Sequence, residues 1–324
     1  MFELLPRDRQ ALIAFLQDMV RIPSYSTSEK AMAERLAAEM KAVGFREVYL
    51  DRIGNVVGRL GANGAPGERK DQGRILLYNG HMDIVGVGDP NSWRHDPFGA
   101  EIVDGNLYGR GASDMKGALA AMVYGAKALI DRNYPLRGEL YVVGVVQEEP
   151  CEGLGMRVLI EEEKLVPDAI VLGEATDLQV SRGQRGRIEI DVTVQGRSCH
   201  ASAPHLGQNA IYAAARLIFG VEMLGSQLGE DRFLGPGTLA VTHIENTAGS
   251  RNAVPDSCTF CIDRRLTLGE TEDGLFLSAR DEDGNHTTVH APSTKPLADK
   301  AERMRETIDR QLRKTGDTEF VCTE

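Results

Sequence analysis

The sequence has no apolar run approaching the roughly 20 residues a membrane-spanning helix needs. Met1 to Arg9 is charged and lacks the apolar stretch of a secretory signal, so no leader is expected. Basic charge is outnumbered, 37 Lys and Arg against 48 Asp and Glu, for a net charge of -11. No positive field exists to release counterions from a phosphate backbone, so neither nucleic acid nor membrane is an expected partner. Cysteine is scarce: five, scattered and odd in number, which excludes a disulfide framework and fits a reducing cytoplasmic setting. Cys258 and Cys261 form a C-x-x-C, but they sit in a strand-like stretch with no second Cys or His pair, so a zinc knuckle is not expected. Repeats and low-complexity tracts are absent. What remains is 42% apolar and 26% charged, a globular composition, and 324 residues are enough for two domains.

The apolar pattern places the elements. Leu12, Phe15, Leu16 and Met19 are spaced for a helix over Asp8–Val20, stopped by Pro23. Ser26 followed by Glu29 reads as a capping box opening a second helix that ends at Gly44. Strands are expected at Phe45–Leu50, Asn55–Leu60, Arg74–Asn79, Glu139–Val146 and Ala169–Leu172, with helices at Gly117–Ile130 and Met156–Lys164. Alternating strands and helices predict an α/β fold, a mainly parallel sheet with helices on both faces. After about residue 180 the texture changes. Arg187–Val194 alternates polar and apolar residues, and Gly237–Ile244 and Ser257–Leu266 follow a helix at Gln208–Leu224, which reads as a smaller α+β domain.

Three apolar strands run into metal-ligand chemistry. Arg74–Asn79 leads to His81 and Asp83, Glu139–Val146 to Glu148 and Glu149, and Ala169–Leu172 to Glu174. In open α/β sheets, sites form beyond the carboxyl ends of the strands. Asp114 lies in a glycine-rich turn just before a helix. One imidazole with several carboxylates and no thiolate suits zinc, cobalt or manganese. Crowded carboxylates repel unless cations neutralise them, and a pair of ions also yields hydroxide at neutral pH. Singly, each residue has a plain alternative: a core histidine, a helix N-cap, a solvated strand end.

The ordered stretches Gly80–Asp83, Tyr108–Gly117, Gln147–Glu149, Gly173–Asp177, Gly196–Pro204 and Asn252–Pro255 resemble the zinc-dependent amidohydrolases that include acetylornithine deacetylase, succinyl-diaminopimelate desuccinylase, aminoacylase and glutamate carboxypeptidase. The wording around Arg182–Arg187 and Ile262–Thr267 looks most like a branch linked to selenium metabolism. The resemblance implies a zinc-peptidase-like catalytic domain with an inserted lid that makes a homodimer, two divalent metal ions per chain, and a small amide-type substrate such as an N-acyl amino acid or dipeptide. It implies that His81 and Glu174 bind one metal, Glu149 the other, and Asp114 both. Asp83 then holds the His81 imidazole, Glu148 is the general base, and His200 reaches the partner's site to support the tetrahedral intermediate. Asn252 and Arg265 match substrate-contacting positions, an arginine there suiting a carboxylate; for Arg265 a strand-end charge is the equal alternative.

The domain expectation is therefore 1–180 for the metal-binding catalytic domain, 181–290 for the lid and 291–324 for a short return or tail. The family pattern departs after Glu270, and its last histidine ligand has two readings here: His290 replaces it, or the tail is unrelated, with a helix over 296–314. This shortening motivates a rival function, an impaired relative that binds metal or ligand without hydrolysis. A thiol hydrolase using Cys151 or Cys199 is a third reading, with no sequence context that lowers either thiol's pKa.

Overall fold

A computed structural model describes residues 4–61, 73–151, 153–181 and 183–268, together with the backbone of three short strands further on. The chain divides into two compact units, Met1–Val180 and Ser181–Glu324.

In the first unit, α1 (Pro6–Arg21) and α2 (Lys30–Ala42) precede a five-stranded sheet. Its strands are β1 (Glu47–Leu50), β2 (Val56–Gly61), β3 (Ile75–His81), β6 (Glu139–Val145) and β7 (Ala169–Leu172), in the order β1-β2-β6-β3-β7. Between β3 and β6 lie a small hairpin, β4 (Glu101–Val103) and β5 (Asn106–Tyr108), and α3 (Gly117–Asp131). α4 (Leu154–Glu161) joins β6 to β7. β3 pairs in parallel with β6 and with β7, while β2 is antiparallel to both β1 and β6. Four strands thus point one way and only β2 opposes them, so the fold is α/β with a mostly parallel sheet.

Strand alternation decides which face each side chain covers. Val56, Leu140 and Val142 pack with Phe15, Met19, Leu36, Leu119 and Val123 of α1, α2 and α3. Val57, Leu77, Tyr141 and Val143 pack on the other face with Leu159 of α4 and Leu165. Gly80 is fixed by this packing: a Cβ there would lie 2.5 Å from Met115 Cε and 2.9 Å from Leu119 Cδ2. Its small size lets the turn before α3 sit directly on β3, beside His81.

The expected capping box at the start of the second helix is not formed. α2 begins at Lys30, and its N-cap residue Glu29 makes no side-chain cap bond. The physical reason is competition: buried backbone and carboxylate groups elsewhere in the unit take both the Ser26 hydroxyl and the Glu29 carboxylate.

The second unit is an antiparallel sheet with a helix on it. β8 (Gly186–Gln195) runs to β9 (Cys199–His200), then α5 (Ala210–Gly225) and a minimal pair, β10 (Glu230–Asp231) with β11 (Gly235–Pro236). β12 (Thr238–Asn246), β13 (Ala253–Val254) and β14 (Ser257–Leu266) follow. Asn209 caps α5, its Oδ1 accepting from the Ile211 and Tyr212 amides. Ala213, Leu217 and Val221 of α5 cover Ile190, Val192, Phe260 and Ile262 of the sheet. The sheet order is β12-β14-β8-β17, where β17 (Phe320–Cys322) adds antiparallel to Val192–Val194. Between them in sequence, β15 (Phe276–Arg280) pairs with β16 (His286–His290). The helix expected over 296–314 lies outside the described residues, as does the His290 side chain, so the two readings of the last ligand are not decided by it.

Candidate metal centre

The register of the parallel strands brings the sequence-predicted residues to one rim. His81 is level with Val145, and Asn79 with Leu172, so β3, β6 and β7 end together. Beyond those ends, His81, Asp114 and Glu149 each offer a ligand atom, and the three lie within 4.8 Å of one another. Glu174 joins them, its Oε1 4.0 Å from His81 Nε2. Asp114 reaches the cluster from the turn Ala112–Lys116, where its backbone is extended (φ -126°, ψ 95°) rather than helical.

His81 is buried and held at both nitrogens. Nδ1 donates to the Asp83 main-chain oxygen at 2.9 Å, and Nε2 donates to Asp114 Oδ1 at 2.9 Å. The Asp83 carboxylate stands farther off, with Oδ1 3.6 Å from Nδ1. That carboxylate, fully buried, instead accepts from Ser26 Oγ (2.7 Å) and from the amides of Glu148 (3.1 Å) and Glu149 (3.2 Å). Asp83 therefore grips both the imidazole, through its backbone, and the Glu148–Glu149 segment, through its side chain.

The electrostatics are set by several acidic groups crowded around one imidazole. Burial alone pushes the His81 pKa down, but hydrogen bonds to Asp114 and Asp83 and the charge of Glu174 outweigh it and hold it up at about 11. The bond from His81 holds the Asp114 carboxyl below its ordinary range against the opposing effect of burial. Burial likewise works to raise Asp83, and the neighbouring His81 together with hydrogen bonds from Ser26 and the two amides wins and lowers it. Glu149 goes the other way: burial raises it, and repulsion from Asp114, Asp83 and Glu174 adds to that, with His81 pulling against them. The proton on His81 stands where a divalent cation would go. Imidazole and carboxylate donors on one zinc, at about 2.0–2.2 Å each, sit about 3.4 Å apart, so donors already within 4.8 Å need only small rotations. The residues fit a metal.

Three polar groups that sequence reasoning did not single out support this rim. Lys116 is fully buried, and its Nζ donates to the carbonyls of Met19 and Ile22 at 2.9 Å each. It ties the end of α1 to the Asp114 turn, and burial pushes its pKa down to about 8. The Arg110 guanidinium lies 5.1 Å from the centre of the Trp93 ring and helps lower Asp114. Asn55, also buried, donates to Gly155 and accepts from the Val146 amide. Lys116 and Arg110 carried a signal, their place inside the Asp114 motif; Asn55 lies about a hundred residues along the chain from what it holds.

The remaining predicted residues are in the second unit. His200 is exposed; the Ser202 amide donates to its Nδ1 (3.2 Å), with Ser202 Oγ 2.8 Å from the same nitrogen. Asn252 lies beside it, since the Ala201 amide donates to the Asn252 carbonyl and Ala253 pairs with His200. Arg265 is not brought to them. It sits eight residues along β14 from Ser257, about 26 Å of strand, and binds Asp263 through Nε (2.8 Å) and Nη2 (3.2 Å). Cys199 Sγ donates to the Ala203 carbonyl at 3.4 Å, not to a histidine.

Comparison with known proteins gives the same answer as the geometry. The signature of Peptidase family M20/M25/M40 matches residues 77–248. The Escherichia coli (strain K12) protein YgeY is 44% identical over 271 residues, covering 83% of this chain and 65% of the relative, so the chain spans just under two thirds of that protein's length. Succinyl-diaminopimelate desuccinylase of Rhodospirillum centenum is 30% identical over 286 residues, covering 83% of this chain and 71% of the relative. Among solved structures, human carnosine dipeptidase 1 superposes with a TM-score of 0.66 at 17% identity, covering 97% of this chain and 77% of that one. The Saccharomyces cerevisiae dipeptidase Dug1p gives 0.67 at 12%, covering 97% and 76%. At such identities the structural likenesses speak for the fold alone. The motif order, the metal-ligand rim and the sequence relatives agree: this chain belongs to peptidase family M20/M25/M40.

Proposed function

We propose that the chain hydrolyses an amide-type C–N bond in a small substrate, an N-acyl amino acid or a dipeptide, using a pair of divalent cations, zinc in the first instance and cobalt or manganese as alternatives. The observation that carries this reading is the convergence of His81, Asp114 and Glu149 within 4.8 Å at the ends of parallel strands. His81 and Glu174 would hold one ion, Glu149 the other, and Asp114 both. When bound, the ions lower the pKa of water to about 7 and polarise the substrate carbonyl. Glu148 accepts a proton from the attacking water on its carboxylate and returns it to the leaving nitrogen. Asp83 keeps the His81 ring in orientation through its carbonyl. His200 and Asn252 serve the oxyanion and the substrate, His200 in the site of a second copy, in a homodimer paired through the second unit. Exposed Tyr212, Phe219 and Met223 on α5 support that pairing. A cytoplasmic setting accords with the free cysteines and with the absence, among the described residues, of a helix long and apolar enough to cross a membrane.

The test is a hydrolysis screen of N-acyl amino acids, N-succinyl ones included, and dipeptides, with zinc, cobalt or manganese added, alongside elemental analysis. The desuccinylase among the sequence relatives puts the N-succinyl substrates first. Two ions per chain with hydrolysis supports the proposal; one or none, with no hydrolysis, supports a binding protein. Glu148→Gln should keep both ions and lose about 10²- to 10⁴-fold in kcat; full activity in that variant removes the base assignment.

A further inference from the structure

β6 leaves the sheet at Val145, the last residue paired with β3. The next four residues, Val146 to Glu149, carry the proposed base and a proposed ligand, and their amides have no ladder left to join. Amides drawn wholly or partly out of water need other acceptors. Each of the four finds a side-chain oxygen: Val146 donates to Asn55 Oδ1 (3.0 Å), Gln147 to Glu29 Oε1 (3.0 Å), Glu148 to Asp83 Oδ1 (3.1 Å) and Glu149 to Asp83 Oδ2 (3.2 Å). All three acceptor residues are buried, with Glu29 5% exposed and Asn55 and Asp83 0%. Ser26 then donates to Asp83 Oδ2 from the α1–α2 connection, the same connection that supplies Glu29.

Gln147 needs such a hold. Its φ of 53° is in the left-handed region, which a non-glycine residue keeps only where its surroundings enforce it. Glu29 stands at the N-terminus of α2, where a carboxylate ordinarily caps its own helix, yet it makes no such bond and reaches across 118 positions of sequence to the Gln147 amide. We propose that Glu29 and Ser26 are positioning residues for catalysis, acting through the backbone of the Gln147–Glu149 segment to aim Glu148 and Glu149. The proposal rests on the hydrolase reading above, but it concerns residues outside the ligand set.

The experiment compares Glu29→Ala, Glu29→Gln and Ser26→Ala with wild type in full-length chain, reading kcat, KM, thermal stability and the affinity of each of two Mn²⁺ ions by calorimetry. Glu29→Gln keeps an oxygen able to accept from Gln147 and should stay within about threefold of wild type in all but stability. Glu29→Ala should lower kcat about 10- to 100-fold with KM within threefold, and weaken the second Mn²⁺ about tenfold while sparing the first. Ser26→Ala should lower kcat about 3- to 10-fold, and it decides the matter where Glu29→Ala does not fold. Met40→Ala, in the core face of α2, controls for lost stability and should leave kcat of the folded protein unchanged. The proposal is overturned if the folded Glu29→Ala and Ser26→Ala chains both match wild type in kcat and in second-ion affinity. Wild type that binds no Mn²⁺ pair sinks the hydrolase reading itself. Wild type that binds the pair but cleaves nothing still lets the ion affinities judge the positioning role.

Discussion

The two units handle their histidines in opposite ways. In the first, His81 is buried, bonded at both nitrogens, and surrounded by groups that are themselves held. In the second, His200 is exposed, its ring bonded among the described residues to its near neighbour Ser202, on a strand two residues long. A side chain that must hold an ion benefits from rigid support, because ligand atoms misplaced by half an ångström lose affinity. One that meets a transient charge can sit on a mobile surface. On the function proposed above, the first unit would serve as a metal cradle and the second as a delivery surface.

The sharpest break of that contrast is a matched pair of substitutions. His81→Ala should abolish hydrolysis, by 10³-fold or more, and lose the first ion with it. His200→Ala should cost about 10²-fold in kcat and leave both ions bound, as removal of an oxyanion donor does. Elemental analysis beside initial rates separates the two; ion loss in the His200 variant would erase the distinction. Next in size is Lys116→Met. It strips a donor from the buried carbonyl of Met19 and the half-buried carbonyl of Ile22, and urea unfolding should show about 2 kcal/mol lost. A loss under about 1 kcal/mol would mean that these carbonyls find water instead.

The sequence made this cradle partly legible, and particular residues show why. The convergence of His81, Glu149 and Glu174 was readable because each follows closely on an apolar strand, so chain order and spatial order coincide at the sheet's rim. Ser26 and Glu29 were misread because a capping box and a long-range buttress have the same local spelling; their targets, Asp83 and the Gln147 amide, lie 57 and 118 residues away. The Arg265 side chain was equally ambiguous. Its sequence context allows a substrate carboxylate or a neighbour, and only the fold reveals Asp263 on the same strand face, two residues back. The α/β pattern itself was plain, since burial on both faces writes near-continuous apolar runs.

A pH dependence sharpens the electrostatic half of the comparison. In chelator-treated protein the folded-state pKa of His81, about 11, lies above its ordinary 6.5. A raised pKa means that the folded form binds the proton more tightly. Its stabilising contribution is therefore complete below pH 6.5 and disappears as pH climbs through about 11. Urea unfolding of wild type and His81→Gln at several pH values should show a gap that is constant in mild acid and closes toward pH 11. A gap that widens with pH would reverse the sign and unseat the imidazolium.

The smallest effect expected is at Arg265. Its guanidinium is 38% exposed and already engaged with Asp263, which also binds Arg187 Nε at 2.9 Å. An exposed ion pair of this kind contributes about 0.5 kcal/mol, and Arg187 would still hold Asp263 after its loss. Arg265→Ala should therefore leave kcat/KM within threefold and stability within about 1 kcal/mol. The alternative makes a different demand: to bind a substrate carboxylate, Arg265 must first leave Asp263, and its loss would then raise KM tenfold or more with kcat nearly intact. A KM rise of that size would transfer Arg265 from the scaffold of β14 to the delivery surface, and would place a substrate contact some 26 Å of strand from the start of β14, beside which His200 and Asn252 lie.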